Sequence, residues 1–194
     1  MCSSDLNSAF ETGIRNPLDE AILGHPHQEP TDWRKRDEIP FDFERRRLSV
    51  VAETADRRLL IVKGAPESVF ACCTQLETGD GPAPLSDDAL ARARATFEQL
   101  GDQGFRTLAI AYRPVPEQPA YRVADETGLT LAGFLAFSDP PLADAAETIE
   151  ALRRDGVRIK ILTGDSERVA LHLCKTVGLD PGRIVRGEIG RAHV

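Results

Sequence analysis

The sequence predicts an α+β domain, an antiparallel sheet with flanking helices, followed by a short α/β segment. Branched apolar runs at Leu48–Ala52 and Leu59–Lys63 flank a polar stretch, which is typical of a β-hairpin. Two further apolar runs, Thr107–Tyr112 and Leu129–Phe137, predict two more strands of the same sheet. After Asp139-Pro140-Pro141 the helix and strand patterns alternate, which indicates a parallel sheet.

Helices and loops of the first part follow from capping residues and turn formers. Asn16 and Pro17 open a helix that Gly24 ends, and a second helix begins near Pro66. Ser86 is expected to cap a third helix. Residues 25 to 38, with Trp33 as an apolar anchor, and residues 77 to 88 are predicted to be loops.

The last part is predicted as helix, strand, helix, strand. The helices are Ala143–Arg154 and Ser166–Val177, ended by Gly156 and Gly178. The strands are Val157–Leu162 and Arg183–Val185.

Composition excludes some classes of function. The net charge of −7 disfavours a nucleic-acid partner, because polyanion-binding modules are normally basic. Four cysteines contain no C-x-x-C pair, so reduced thiols are expected rather than a zinc site. The longest apolar stretch, Leu129–Phe137, is far shorter than a membrane span.

The two ends look foreign to the rest of the chain. Residues 1–6 and 188–194 resemble translated sequencing-adapter arms and are expected to be non-native. We therefore expect a first domain over residues 7–137 and a partial second domain over residues 138–187.

Three segments have the residue types of a ligand site, but each is ambiguous alone. Thr163-Gly164-Asp165 lies before a predicted helix, where glycine allows a sharp turn and the helix amino end favours anions; plain capping is the alternative. Lys63-Gly64 ends a strand and either lines a nucleotide site or is a solvated turn. Residues 40 to 51 (P-F-D-F-E-R-R-R-L-S-V-V) place Phe41 and Phe43 before three arginines. That pattern indicates either purine stacking with phosphate neutralisation or edge packing with a solvated rim.

Absent motifs narrow the chemistry further. The chain contains no G-x-x-x-x-G-K-[ST] loop and no G-x-G-x-x-G. No two aspartates lie two residues apart, so the nucleophile pair of ordinary dehalogenase-type phosphatases is missing. The four histidines form no metal-ligand pattern.

Taken in order, six sequence blocks resemble the P-type cation-transporting ATPases. Their residues are most similar to those of the bacterial magnesium-transporting branch. The blocks are N-P-L-D-E-A-I-L, P-F-D-F-E-R-R-R-L-S-V-V, K-G-A-P-E, G-F-R-T-L-A-I-A, D-P-P and K-I-L-T-G-D-S. The resemblance implies an α+β nucleotide-binding domain followed by an incomplete Rossmann-like, haloacid-dehalogenase-type phosphorylation domain.

The resemblance also implies an ATP site in the first domain. Phe41 would stack on the adenine, and Asp19 would contact the adenine edge. Lys63 and Gly64 would line the base site, with Arg46 nearby.

A second group of residues would serve the phosphates. Arg106 would reach them, and Asp139 would lie at the hinge between the domains. Thr163, Gly164 and Asp165 would hold the γ-phosphate with its magnesium ion. Leu142 departs from the family, which usually has a basic residue there.

The implied function is an ATP-binding part of an ATP-driven cation pump, magnesium being the favoured ion. Its partners would be ATP and the remaining phosphorylation, actuator and transmembrane domains, at the cytoplasmic face of the inner membrane. The chain contains no D-K-T-G-T, the family's phosphorylated motif, so we expect no turnover. A free-standing nucleotide-binding regulatory module is the alternative.

Overall fold

Branched apolar runs and capping residues produce seven strands and a set of helices in the computed structural model, which describes residues 3–12, 17–24 and 32–182. The helices are α1 (Ser3–Phe10), α2 (Pro17–Gly24), α3 (Pro66–Phe70), α4 (Asp87–Asp102), α5 (Ala145–Arg154) and α6 (Glu167–Thr176). A 3-10 turn covers Val123–Asp125. The strands are β1 (Arg34–Asp42), β2 (Arg47–Glu53), β3 (Arg58–Gly64), β4 (Cys73–Thr78), β5 (Gly81–Pro84), β6 (Arg106–Pro114) and β7 (Leu129–Phe137).

The strands form one sheet in the order β1-β2-β3-β6-β7-β4-β5. Strand β2 pairs antiparallel with β1 and β3, which confirms the predicted hairpin. Strands β3 and β6 are antiparallel as well. Strand β4 runs parallel to β7, however, so the expected antiparallel sheet is in fact mixed.

Alternation along β3 divides the core between the two faces of the sheet. Leu60 and Val62 belong to one cluster, which includes Val69 and Phe70 of α3 and Ala93 of α4. The alternate residues of β3 belong to a second cluster, with Leu6 of α1 and Trp33. Each fully buried Leu, Ile or Val contributes about 1.5–3 kcal/mol to the free energy of unfolding.

The chain divides into two compact units by its internal contacts. The first is Met1–Phe97 with Thr107–Phe137, and the second is Glu98–Arg106 with Ser138–Val194. The assignment of these units to two functional domains, and of residues 1–6 and 188–194 to a foreign origin, stays a prediction.

Several helix signals are confirmed. The Ser86 hydroxyl accepts the Ala89 N–H at the start of α4, and the Ser166 hydroxyl accepts the Val169 N–H at the start of α6. Gly156 and Gly178, with φ of 78° and 71°, follow α5 and α6 as predicted. The Asn16 cap and the strand Arg183–Val185 lie outside the described residues.

Three local predictions were wrong. The segment predicted as a loop over residues 77 to 88 contains the end of β4 and all of β5, and residues 34 to 38 belong to β1 rather than to a loop. The predicted strand Val157–Leu162 has no regular structure, and Leu162 is 96% exposed. A strand needs a neighbour for its backbone hydrogen bonds, and the described part of residues 138–182 contains none.

No helix among the described residues is long and apolar enough to cross a membrane.

Candidate nucleotide-binding site

Four of the sequence-predicted residues lie at one end of the sheet in the first unit. Phe41 precedes Asp42, which pairs with Arg47 of β2. Arg47 in turn pairs with Gly64 of β3, and Leu48 pairs with Lys63. Two strand spacings, about 10 Å, therefore separate the backbone of Phe41 from that of the Lys63-Gly64 pair. Arg46 occupies the turn between β1 and β2.

Lys63 and Asp19 form a buried ion pair on the α1 and α2 side of the sheet. The Lys63 ammonium contacts Asp19 Oδ1, lies 3.0 Å from Glu11 Oε2 and donates to Ser8 Oγ at 3.1 Å. Ser8 also donates to Asp19 Oδ1 at 2.9 Å. The Lys63 and Asp19 side chains are only 4% and 3% exposed. The buried Lys63 ammonium needs these hydrogen-bonding partners because burial removes its hydration.

The two phenylalanines at the turn between β1 and β2 are open to solvent. Phe41 is 49% exposed and Phe43 is 88% exposed, and their rings meet edge to face with centroids 5.2 Å apart. Rings in this position leave apolar faces available for a flat ligand.

Gly64 is required by the protein itself. A Cβ at this position would lie 2.5 Å from the Arg46 carbonyl oxygen and 2.7 Å from Arg47 Cα. The Ala65 N–H donates to the same Arg46 carbonyl at 2.9 Å. The glycine therefore lets the backbone of β3 approach the turn between β1 and β2. This packing within the protein explains the glycine without a ligand.

The three consecutive arginines at the turn between β1 and β2 differ in their surroundings. Arg46 is exposed and adopts a positive φ of 49°, whereas Arg45 and Arg47 turn inward to the carboxylate of Glu126. The sequence interpretation treated the three as one group and missed Glu126 entirely. No pattern in the sequence pairs these two arginines with Glu126, which lies 81 and 79 residues away from them.

Asp42 shapes the turn itself. Its Oδ1 accepts the N–H groups of Glu44 and Arg45, each at 2.8 Å. The Arg45 N–H is the main cause that holds the pKa of Asp42 below its ordinary value.

The remaining predicted residues lie in the second unit. Arg106 Nη2 lies 3.1 Å from Asp139 Oδ2 and 3.0 Å from Asp165 Oδ2, so one guanidinium holds both carboxylates. Thr163 Oγ1 accepts the Asp165 N–H at 3.0 Å. Gly164 lies in a bend, but its φ lies outside the left-handed region and a Cβ would meet nothing within 4 Å, so its backbone does not require a glycine.

Among the described residues, no group of three or more His, Cys, Asp or Glu side chains could hold a metal ion. Asp165 and Thr163 do present oxygen ligands of the type that Mg²⁺ prefers, and Mg²⁺ is commonly held by one or two carboxylates together with nucleotide phosphates. These two residues therefore suit a metal that arrives with a nucleotide.

The chain is similar to known proteins over almost its whole length. It is 42% identical over 193 residues to the "Magnesium-transporting ATPase, P-type 1" of Escherichia coli strain K12, covering 96% of this chain and 22% of the relative. The protein of the same name in Salmonella typhimurium strain LT2 is 42% identical over 190 residues, covering 94% and 21%. A "Calcium-transporting ATPase" of Bacillus subtilis is 32% identical over 164 residues, covering 82% and 18%.

The chain thus spans about a fifth of the length of these relatives. The sequence profile of the family described as "P-type ATPase, cytoplasmic domain N" matches residues 6–144, which include the whole sheet and the hairpin. With this match and these identities, the chain belongs to the P-type ATPase family and contains its cytoplasmic domain N.

Proposed function

We propose that the chain is the ATP-binding part of an ATP-driven P-type cation transporter, and that the transported cation is magnesium. The relatives at 42% identity are named for magnesium, while one named for calcium is 32% identical. The parent protein would hold this region at the cytoplasmic face of the inner membrane. Its other partners would be the remaining phosphorylation, actuator and transmembrane domains.

The observation that carries the proposal is the open Phe41 ring at the sheet end where Arg46, Lys63 and Gly64 also lie. An exposed ring held by a turn offers a stacking face for adenine, and the neighbouring guanidinium of Arg46 supplies positive charge for phosphates. In a member of this family, a purine nucleotide is the ligand that suits both features.

Lys63 and Asp19 would act on the adenine edge. Both heads are almost fully covered and held by each other, so contact with a base would require them to exchange present partners. Glu11 and Ser8 keep the ammonium in place through the contacts described above.

The proposed phosphate ligands all belong to the second unit. Arg106 would bind the phosphates, Asp139 would lie at the hinge, and Thr163, Gly164 and Asp165 would hold the γ-phosphate with Mg²⁺. Mg²⁺ supplies neutralisation of the charge that develops in phosphoryl transfer. Arg106 now neutralises Asp139 and Asp165, so its binding to phosphate would require exchange of these partners. Without the D-K-T-G-T aspartate in its sequence, the chain is expected to bind ATP but not to turn it over.

Calorimetric titration with ATP and Mg²⁺ tests the proposal. The unaltered chain is expected to bind with a dissociation constant in the micromolar to millimolar range, and Phe41→Ala should weaken binding about tenfold, because one base stack contributes about 1–3 kcal/mol.

Val157→Ala is the control, since Val157 is 47% exposed, against 49% for Phe41, and lies in the second unit outside all the proposed ligand residues. It should leave the affinity unchanged. Absence of ATP binding by the unaltered chain, or equal affinity of the Phe41→Ala variant, would contradict the proposal.

A further inference from the structure

We infer that Glu126 is a positioning residue for the nucleotide-contacting hairpin, which we define as residues 40–47. Acting through Arg45 and Arg47, its carboxylate fixes the backbone that carries Phe41 and Arg46. The inference rests on the proposed ATP site and adds a residue that does not itself touch the nucleotide.

The Glu126 carboxylate lies at the centre of a closed polar cluster. Its side chain is 0% exposed. Arg45 Nη1 donates to both of its oxygens at 2.8 Å, and Arg47 Nε donates to Oε2 at 2.7 Å. Ser49 Oγ donates to Oε1 at 2.7 Å. Two guanidinium groups and a hydroxyl thus saturate one buried carboxylate, and removal of the carboxylate would leave two cations without their counter-charge.

The cluster reaches the hairpin backbone at two points, and the Ala65 N–H holds it at a third. Arg45 Nη2 donates to the carbonyl of Pro40, the residue before Phe41, at 2.7 Å. Ser68 of α3 accepts from Arg47 Nη1 at 2.7 Å and donates to the Arg45 carbonyl. The next carbonyl, that of Arg46, accepts the Ala65 N–H. The backbone on both sides of the turn is therefore tied to Glu126 and to α3.

Hydrogen bonds and ion pairs matter here because the hairpin tip buries little apolar surface. Phe43 is 88% exposed and Phe41 is 49% exposed, and neither belongs to the buried core clusters. Arg46 occupies the left-handed region, which costs a non-glycine residue free energy and persists only where the surroundings enforce it. The cluster around Glu126 supplies part of this constraint, together with the Asp42 carboxylate that accepts the Glu44 and Arg45 N–H groups.

The constraint is long-range in sequence. Glu126 directly follows the 3-10 turn Val123–Asp125 and lies 81 residues from Arg45 and 79 from Arg47. It links the start of β7 to the opposite part of the sheet, so the position of the stacking ring depends on a residue outside the hairpin.

Two variants test the inference. Glu126→Gln keeps the shape of the side chain and removes the charge, and Arg45→Lys keeps a cation for Glu126 but removes the fork that also reaches the Pro40 carbonyl. Each should weaken ATP binding about tenfold under conditions in which circular dichroism shows a folded chain. The amide signals of residues 41–46 should shift in both variants before ATP is added.

Glu53→Gln is the matched control. Glu53 also bridges two arginines, Arg36 and Arg58, but at the other end of β2, and its side chain is 13% exposed. Its loss should lower the free energy of unfolding while leaving ATP affinity within about twofold of that of the unaltered chain.

A double-mutant cycle separates positioning from stability. In a Phe41→Ala background, Glu126→Gln should lose most of its effect on ATP affinity, because the ring that it positions is gone. A merely structural role would lower affinity equally in both backgrounds.

The outcomes are distinct. Unchanged ATP affinity in the Arg45→Lys variant overturns the inference, as does a loss of affinity in Glu53→Gln as large as that in Glu126→Gln. If Glu126→Gln fails to fold, the affinity of the Arg45→Lys variant is the deciding measurement. A failure of the proposed function is visible earlier, as absence of ATP binding by the unaltered chain.

Discussion

Two buried charges organise the first unit at the level of single residues. Lys63 is neutralised by Asp19 and Glu11, and Glu126 is neutralised by Arg45 and Arg47. Breaking a buried pair by removing one partner typically costs about 3–5 kcal/mol, whereas an exposed pair contributes little. These pairs therefore stabilise the sheet end at which we propose that ATP binds.

Asp42 provides a pH-dependent element of the same hairpin. Its pKa lies below the ordinary value of 3.8, chiefly because of the Arg45 N–H, so the carboxylate stabilises the turn above that value. This contribution is lost as the pH falls through the lowered pKa of the folded state.

We predict that the Glu44 and Arg45 amide signals stay constant from neutral pH down to about 4 and change only below it. Measurement by NMR titration, with Asp42→Asn as the control that removes the transition, checks the prediction. A transition centred above the ordinary aspartate pKa would contradict it.

At the level of elements, the sequence predicted the strands that carry the core and missed those at the sheet edges. β2, β3, β6 and β7 are branched and apolar, so their pattern follows directly from burial. The edge strand β1 is largely charged, because every one of its residues except Ile39 is at least partly exposed.

The other edge and the last part of the chain show the same limit. β5 contains Pro82 and Pro84, which are tolerated at an edge because no neighbour needs their N–H groups. The residues of Val157–Leu162 have the alternation of a strand, but alternation cannot supply the neighbouring strand that pairing requires.

The candidate site was predictable only where it is local in sequence. The hairpin and the Lys63-Gly64 turn are contiguous motifs, and the structure places them at one sheet end. Glu126 could not be predicted, because its contacts with Arg45 and Arg47 depend on the register of the completed sheet.

A substitution at Gly64 tests whether the close packing of β2 against β3 contributes to stability. Gly64→Ala should lower the free energy of unfolding by about 1–3 kcal/mol, because the added carbon overlaps the backbone of residues 46 and 47.

Gly79→Ala is the control, since a Cβ there would meet nothing within 4 Å. Urea unfolding curves compare the two variants with the unaltered chain. Equal unfolding midpoints for all three proteins would show that β2 and β3 can separate without cost.

At the scale of the whole molecule, the first unit contains the sheet, both core clusters and the hairpin, while the described part of the second contains the Arg106, Asp139 and Asp165 cluster. The net charge of −7 places the positive groups of the site against an acidic background. The proposed attraction of a polyanionic nucleotide would therefore depend on local arginines rather than on the total charge.

The central claim is that ATP binds at the sheet end formed by the hairpin and the Lys63-Gly64 turn. An ATP titration of the isotope-labelled chain, followed through its amide NMR signals, tests this most directly. The account predicts saturable shifts at Phe41, Arg46, Lys63 and Gly64, with no shift at the turn that contains Gly79. Shifts that do not saturate, or that are as large at Gly79 as at Phe41, would contradict it.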